Sequence, residues 1–233
     1  MSIGRRIPEP SGRECAVTRY VAFLRAINVA GHTRVEMPHV RDAFVGAGCR
    51  GVATYIQSGN VIFETGDADC AGLFQRIRSR VCALTGEQST VVFRSARQVQ
   101  ALVKAAPFTT FESDRTLKLY AVCLAEKPRT IPRFPWAEPA ERLEAIGIKG
   151  LDVLIVSRRK PSGFYGFPNQ FVESVLGVAA TSRNWNTVIK IAQLIATTDT
   201  KLSATKVIAT KDTNVLATKK AKRMKRSSPR EDT

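Results

Sequence analysis

Val52-Ala53-Thr54-Tyr55-Ile56-Gln57-Ser58-Gly59-Asn60-Val61-Ile62-Phe63-Glu64 reads as a strand, a tight turn and a second strand. Val52 to Gln57 and Val61 to Glu64 are rich in β-branched and aromatic residues. Gly and Asn between them tolerate the positive φ that a hairpin turn demands. Upstream, Arg19-Tyr20-Val21-Ala22-Phe23-Leu24-Arg25 is an apolar run suited to a buried strand. Between it and the hairpin, Met37, Val40, Phe44 and Ala47 recur at helical spacing over Glu36 to Ala47. Pro38 fits the first turn of that helix, and Gly46 or Gly48 its end. Downstream, Asp69 to Leu84 carries Leu73, Ile77, Val81 and Leu84 on one stripe, and Ser89 to Phe93 is strand-like. The order β-α-β-β-α-β over 18–94 is that of a ferredoxin-like unit.

The remainder repeats this order less cleanly. Ser95 to Ala106 is helical by the spacing of Val99, Leu102, Val103 and Ala106, and Leu117 to Leu124 alternates as a strand does. A link broken by Pro128, Pro132 and Pro135 leads to a short expected helix over Ala140 to Ala145. Asp152 to Ser157 reads as a strand and Gly163 to Phe167 as another. Asn169 to Leu176 reads as a helix, and a last helix runs from Asn184 to Ala196. The expected fold class is α+β. Two related ferredoxin-like units, 18–94 and a degenerate 95–196, pack together between a flexible lead-in (1–17) and a disordered basic tail (197–233).

Charge narrows the partners. The formal charge is +16, with a pI near 10.2. Ten basic and four acidic residues from Thr197 onward, and three arginines against two glutamates in 1–16, leave +9 for the body. A basic body and a basic tail with repeated Ala-Thr-Lys both favour polyanions. Cys15, Cys49, Cys70, Cys82 and Cys123 are odd in number and widely spaced, without Cys-x-x-Cys. That argues against a disulfide framework and a zinc site. His32 and His39 are too few to hold a metal, so no metal or cofactor is expected. No apolar run is long enough to span a membrane, and no secretory signal follows Arg5-Arg6, so the expected location is the cytoplasm.

Three polar words carry the functional signal: Arg25 to Gly31, Thr54 to Val61, and Thr181-Ser182-Arg183-Asn184-Trp185-Asn186-Thr187. They resemble those of a widespread bacterial family catalogued as domain of unknown function 1697. Its members have Arg-Gly-Ile-Asn-Val-Gly-Gly, Thr-Tyr-Ile-Gln-Ser-Gly-Asn-Val and Thr-x-Arg-Asn-Trp-x-Thr. The second and third words stand intact; the first has Ala26 and Ala30 in place of glycine, leaving positive φ to Asn28 and Gly31. The likeness covers roughly Arg19 to Ile195. It implies an α+β fold of two related ferredoxin-like halves and no established activity.

If the fold gathers the three words, Arg25, Asn28, Gly31, Gln57, Ser58, Asn60, Arg183, Asn184 and Thr187 offer guanidiniums, carboxamides, hydroxyls and a helix start. That set suits a phosphate or carboxylate. It is rich in donors and poor in general bases, and no Ser-His-Asp arrangement, Walker loop or Rossmann glycine pattern is present. The expected function is therefore binding of a phosphate-bearing ligand at this face, with nucleic acid favoured. Two alternatives stand beside it: an enzyme acting on a small phosphorylated or nucleotide substrate, and a protein-interaction module whose motifs are purely structural. In the structural reading, Ser58-Gly59-Asn60 only makes the turn, Arg183 and Asn184 tie the last helix to the first half, and Trp185 is core.

Overall fold

The computed structural model describes residues 17–25, 27–28, 34–85 and 90–197. The chain divides into two compact units, 1–189 and 190–233, and the first contains both β-sheets. Its first half runs β1 (Thr18–Leu24), α1 (Met37–Gly46), β2 (Arg50–Tyr55), β3 (Asn60–Thr65), α2 (Cys70–Thr85) and β4 (Val91–Ser95). The strands pair antiparallel in the order β2-β3-β1-β4.

Strand periodicity sorts the side chains of this sheet onto two faces. Ala22, Leu24, Val61, Phe63 and Val91 face one way and form a core with Val40 and Phe44 of α1 and Leu73, Ile77 and Val81 of α2. Phe63 touches the rings of Tyr20, Phe44 and Phe93; truncating so buried a ring costs roughly 3–5 kcal/mol. Val21, Phe23, Asn60, Ile62, Val92 and Arg94 share the opposite face by register, and all six are buried.

The second half runs α3 (Ala96–Lys104), β5 (Leu117–Leu124), β6 (Trp136–Glu138), β7 (Leu143–Lys149), β8 (Asp152–Arg158), α4 (Pro168–Leu176) and β9 (Ala180–Asn184). Helix α3 opens on a capping box between Ser95 and Gln98 and packs against β1 and β4. The sheet order is β6-β7-β8-β5-β9, again antiparallel. Val122, Leu124, Val153 and Ile155 meet Phe171, Val172 and Leu176 of α4 in a second core. Ala121, Cys123, Asp152, Val156, Thr181 and Arg183 lie on the other face, also buried. The two sheets touch through these faces, since Arg94 bonds Asp152 and Arg183 bonds Asn60. Each sheet is therefore covered from both sides.

The structure is α+β, as the element pattern implies, but it departs from that pattern in four places. The expected helix over Ala140 to Ala145 is a turn leading into β7. Its Ala-Glu-Arg-Leu-Glu-Ala composition favours helix, and pairing with the almost wholly buried β8 overrides that preference. Short β6 extends the sheet to five strands. Residues 163–167 form a loop, not a strand. Thr181 to Asn184 form strand β9, and the helical run occupies 185–197. Residues 1–16 of the lead-in, Gly31, His32 and the tail beyond Thr197 lie outside the described residues.

Candidate functional site

The site is built around Arg183, the fourth residue of β9. Strand pairing with Ala121 turns its side chain toward the first sheet, where it is only 6% exposed. Its five N–H donors reach six oxygens. Nε donates to Asn60 Oδ1, Nη1 to Thr181 Oγ1 (2.9 Å) and the Ser182 carbonyl (2.8 Å). Nη2 donates to the carbonyls of Leu24 (2.8 Å), Ser58 (3.2 Å) and Gly59 (3.1 Å). The guanidinium also lies 5.2 Å from the Phe23 ring centroid. None of the six acceptors is a carboxylate. Burial pulls the guanidinium down to about 10, so it stays charged at neutral pH, held by neutral oxygens and the Phe23 ring rather than by a carboxylate.

The hairpin and the first word complete the receptor. Asn60 opens β3 and is fully buried; its Nδ2 donates to the Tyr55 carbonyl (3.0 Å) and Ser58 Oγ (3.1 Å), leaving Oδ1 for Arg183. Gly59 has φ +75°, and a Cβ there would lie 2.8 Å from that of Leu24. Only glycine lets the turn close onto β1, where Leu24 N donates to Gly59 O (2.8 Å). Asn28 adopts φ +55° and clamps the turn from the other side. Its Nδ2 donates to the carbonyls of Val35 (2.8 Å) and Gln57 (3.1 Å), while Oδ1 accepts from Val35 N (2.8 Å). The three words thus meet as the sequence suggests, and they meet by bonding one another.

The remaining predicted residues flank this junction. Arg25 follows Leu24, and its Nη1 donates to Glu173 Oε1 of α4, which also accepts from Ala180 N (2.7 Å). Gln57 is exposed at the turn. Asn184 Oδ1 accepts from Asn186 N (3.0 Å), and Thr187 is half-buried on the first helical turn. Trp185 is buried against Phe108, with ring centroids 5.1 Å apart, and its Nε1 donates to Glu112 Oε1 (3.4 Å). Gly31 lies outside the described residues.

Sequence reasoning missed the counterpart of Arg183. Arg94 is the fourth residue of β4 as Arg183 is of β9, and is 4% exposed. Its Nε donates to Asp152 Oδ1 (3.0 Å), Nη1 to the Phe93 carbonyl (2.8 Å), and Nη2 to the carbonyls of Leu124 (2.9 Å) and Leu151 (2.8 Å). Leu124 ends β5 as Leu24 ends β1, and Leu151 sits in the β7–β8 turn as Gly59 sits in the β2–β3 turn. Asp152 opens β8 as Asn60 opens β3. Setting Val91-Val92-Phe93-Arg94-Ser95 beside Ala180-Thr181-Ser182-Arg183-Asn184 is the signal that would have found it.

Buried Arg94, Arg183, Asp152 and Cys123 form one polar layer between the sheets, and burial pushes the Cys123 thiol well above its usual range. The layer has no exposed nucleophile or base. Among the described residues, no group of three or more His, Cys, Asp and Glu is placed to hold a metal ion, and no helix is long and apolar enough to cross a membrane.

Residues 17–153 match a family model described as Protein of unknown function (DUF1697). No curated protein matches the chain. Among solved structures it is similar to the conserved bacterial protein SP0830 from Streptococcus pneumoniae. The identity is 20% and the TM-score 0.52, over 77% of this chain and 99% of that one, a likeness of fold.

Proposed function

From a chain that belongs to the DUF1697 family, proteins of unknown function, we infer a binding protein for phosphate-bearing polyanions, nucleic acid first among them. It makes its contacts through surface cations rather than through Arg183. The observation that carries this reading is the division of labour among the arginines. Arg94 and Arg183 are buried; Arg94 makes four bonds to protein oxygens, and all the donors of Arg183 are engaged. With Arg94, Arg183 and their buried partner Asp152 set aside, the body's +9 falls only to +8, and exposed side chains such as Arg115, Lys118, Arg142 and Arg159 contribute to it. A buried guanidinium whose donors are all engaged has none left for a phosphate. In this reading Arg183 and Asn60 are the frame of the three-motif face. Arg25, Gln57, Asn184 and Thr187 form a rim that a ligand can reach.

We also read the two sheets as repeats of one ferredoxin-like unit. Strand order β2-β3-β1-β4 is matched by β7-β8-β5-β9, with β6 added at the edge and a helix missing after β5. The reciprocal arginines support that reading. Sheets of this kind often present nucleic acids on an open face, which is analogy. Here both faces of each sheet are covered, so contact falls to loops and rims.

The test is fluorescence anisotropy of labelled single- and double-stranded oligonucleotides with the full chain across a salt series. Binding at physiological salt with a steep salt slope is expected. It should persist when Lys219, Lys220, Lys222 and Arg223 are changed to Gln and weaken with Arg25→Gln. Absence of binding at physiological salt, or its complete loss with the tail changes, overturns the reading.

A further inference from the structure

The loop after β8, Arg159 to Phe167, stands out because its two phenylalanines neither pack nor cap. Phe164 is 75% exposed and Phe167 82%, the two most exposed large apolar side chains among the described residues. Phe167 occupies the N-cap of α4, where Ser, Thr, Asp or Asn would bond the helix and Phe makes no such bond. A local choice that fails both the core and the cap is what a functional surface produces.

The loop is held firmly in place, so these rings are not exposed by accident of a slack segment. Lys160 Nζ donates to Glu141 Oε1 (2.7 Å), Arg159 Nε to the Gly163 carbonyl (2.9 Å), and Tyr165 Oη to the Thr116 carbonyl (2.9 Å). The backbone closes on itself through Lys160 N to Phe164 O (2.8 Å) and Gly163 N to Lys160 O (2.9 Å). Gly166 packs so tightly on Glu141 that a Cβ would come within 2.4 Å of its carbonyl oxygen. Two cations belong to the loop and its support: Lys118 Nζ lies 4.3 Å from the Tyr165 centroid, and exposed Arg159 is in the loop itself.

The geometry points to this loop as a stacking platform for the bases of single-stranded nucleic acid, with Phe164 and Phe167 offering ring faces and Lys118 and Arg159 meeting the phosphates. The inference rests on the polyanion reading above and gives it a place and a strand preference. Exposed aromatic rings among cations are the chemistry that holds single strands without reading sequence. A duplex keeps its bases stacked on each other and gains nothing from the rings.

The experiment uses the full chain, a fluorescein-labelled oligothymidylate of about a dozen nucleotides and the matching duplex. Phe164→Ser/Phe167→Ser is expected to weaken single-strand binding about thirtyfold at physiological salt and to leave duplex binding unchanged. The unfolding midpoint should not fall, because neither ring is buried and serine at the N-cap of α4 can only add a bond to the helix. Phe164→Trp should retain binding, with indole fluorescence quenched by the oligonucleotide. If the wild type binds single strands and the double serine variant binds them equally well, the platform is wrong and the polyanion reading stands. Equal loss for duplex and single strand also overturns the platform. If the wild type ignores both oligonucleotides, the polyanion reading fails and the platform falls with it.

Discussion

Arg94 and Arg183 insert in opposite directions across the same interface, each reaching the end of the first strand and the hairpin turn of the sheet to which it does not belong. They differ in one partner. Arg94 meets the carboxylate of Asp152, whereas Arg183 meets the carboxamide of Asn60. That difference makes their removal unequal.

Arg94→Met strands Asp152 as a buried carboxylate and should cost about 3–5 kcal/mol. Arg183→Met leaves only neutral acceptors unsatisfied and should cost about 2–4 kcal/mol. Urea unfolding at neutral pH measures both. A cost under about 1 kcal/mol for either would remove that arginine from the framework.

The Arg94→Met deficit should depend on pH. Burial already pushes Asp152 up against the pull of Arg94, and without the guanidinium that rise is greater. A carboxyl whose folded pKa is raised favours the fold when protonated. The deficit should therefore be small below the unfolded Asp value of about 3.9 and grow as pH rises through the folded one. A deficit that is flat between pH 3 and 7, or larger in acid, refutes this.

Gly59→Ala places a methyl group against Leu24 at φ +75°. Strain of about 1–3 kcal/mol for the backbone adds to the clash, so the thermal midpoint should drop by several degrees. An unchanged midpoint would mean that the turn has room to shift.

Thiol chemistry should split the cysteines. Burial pushes Cys49 up to about 11 and Cys123 well above its usual range, while Cys70 and Cys82 are half-buried. Mass spectrometry after brief native alkylation at pH 8 should find Cys49 and Cys123 unmodified and label on Cys70 and Cys82. Label on Cys123 would mean that the layer between the sheets opens readily.

Glu141 is held below the usual carboxylate range by its bond from Lys160. With a depressed folded pKa, its contribution is present above the unfolded value of about 4.3 and lost as pH falls through the folded one. Glu141→Gln should therefore lower the unfolding midpoint at pH 7 and match the wild type near pH 3. A gap that persists in acid would place the effect elsewhere.

The first half of the fold was legible because periodicity there is unopposed: one helical stripe per helix and one glycine turn between two apolar strands. The second half was obscured where Ala140 to Ala145 carry helix formers into a strand, an outcome that depends on a partner strand distant in sequence. The meeting of the three words was legible, but its chemistry was not. A run such as Thr181 to Asn184 reads equally as an open anion site or as strand, and only pairing with β5 turns Arg183 inward. Arg94 escaped notice because a lone arginine ending an apolar strand resembles a solvent-facing charge.

The exchange of arginines also means that neither sheet is a self-sufficient piece. A chain cut in the connection at 105–116 would yield one fragment with the Arg94 cation and an empty Asn60 receptor, and another with the Arg183 cation and an empty Asp152 receptor. Each fragment would carry a misplaced charge and a polar hole that only the other can fill. The two would be poor folders apart and obligate partners on mixing, a covalently tethered heterodimer in all but name.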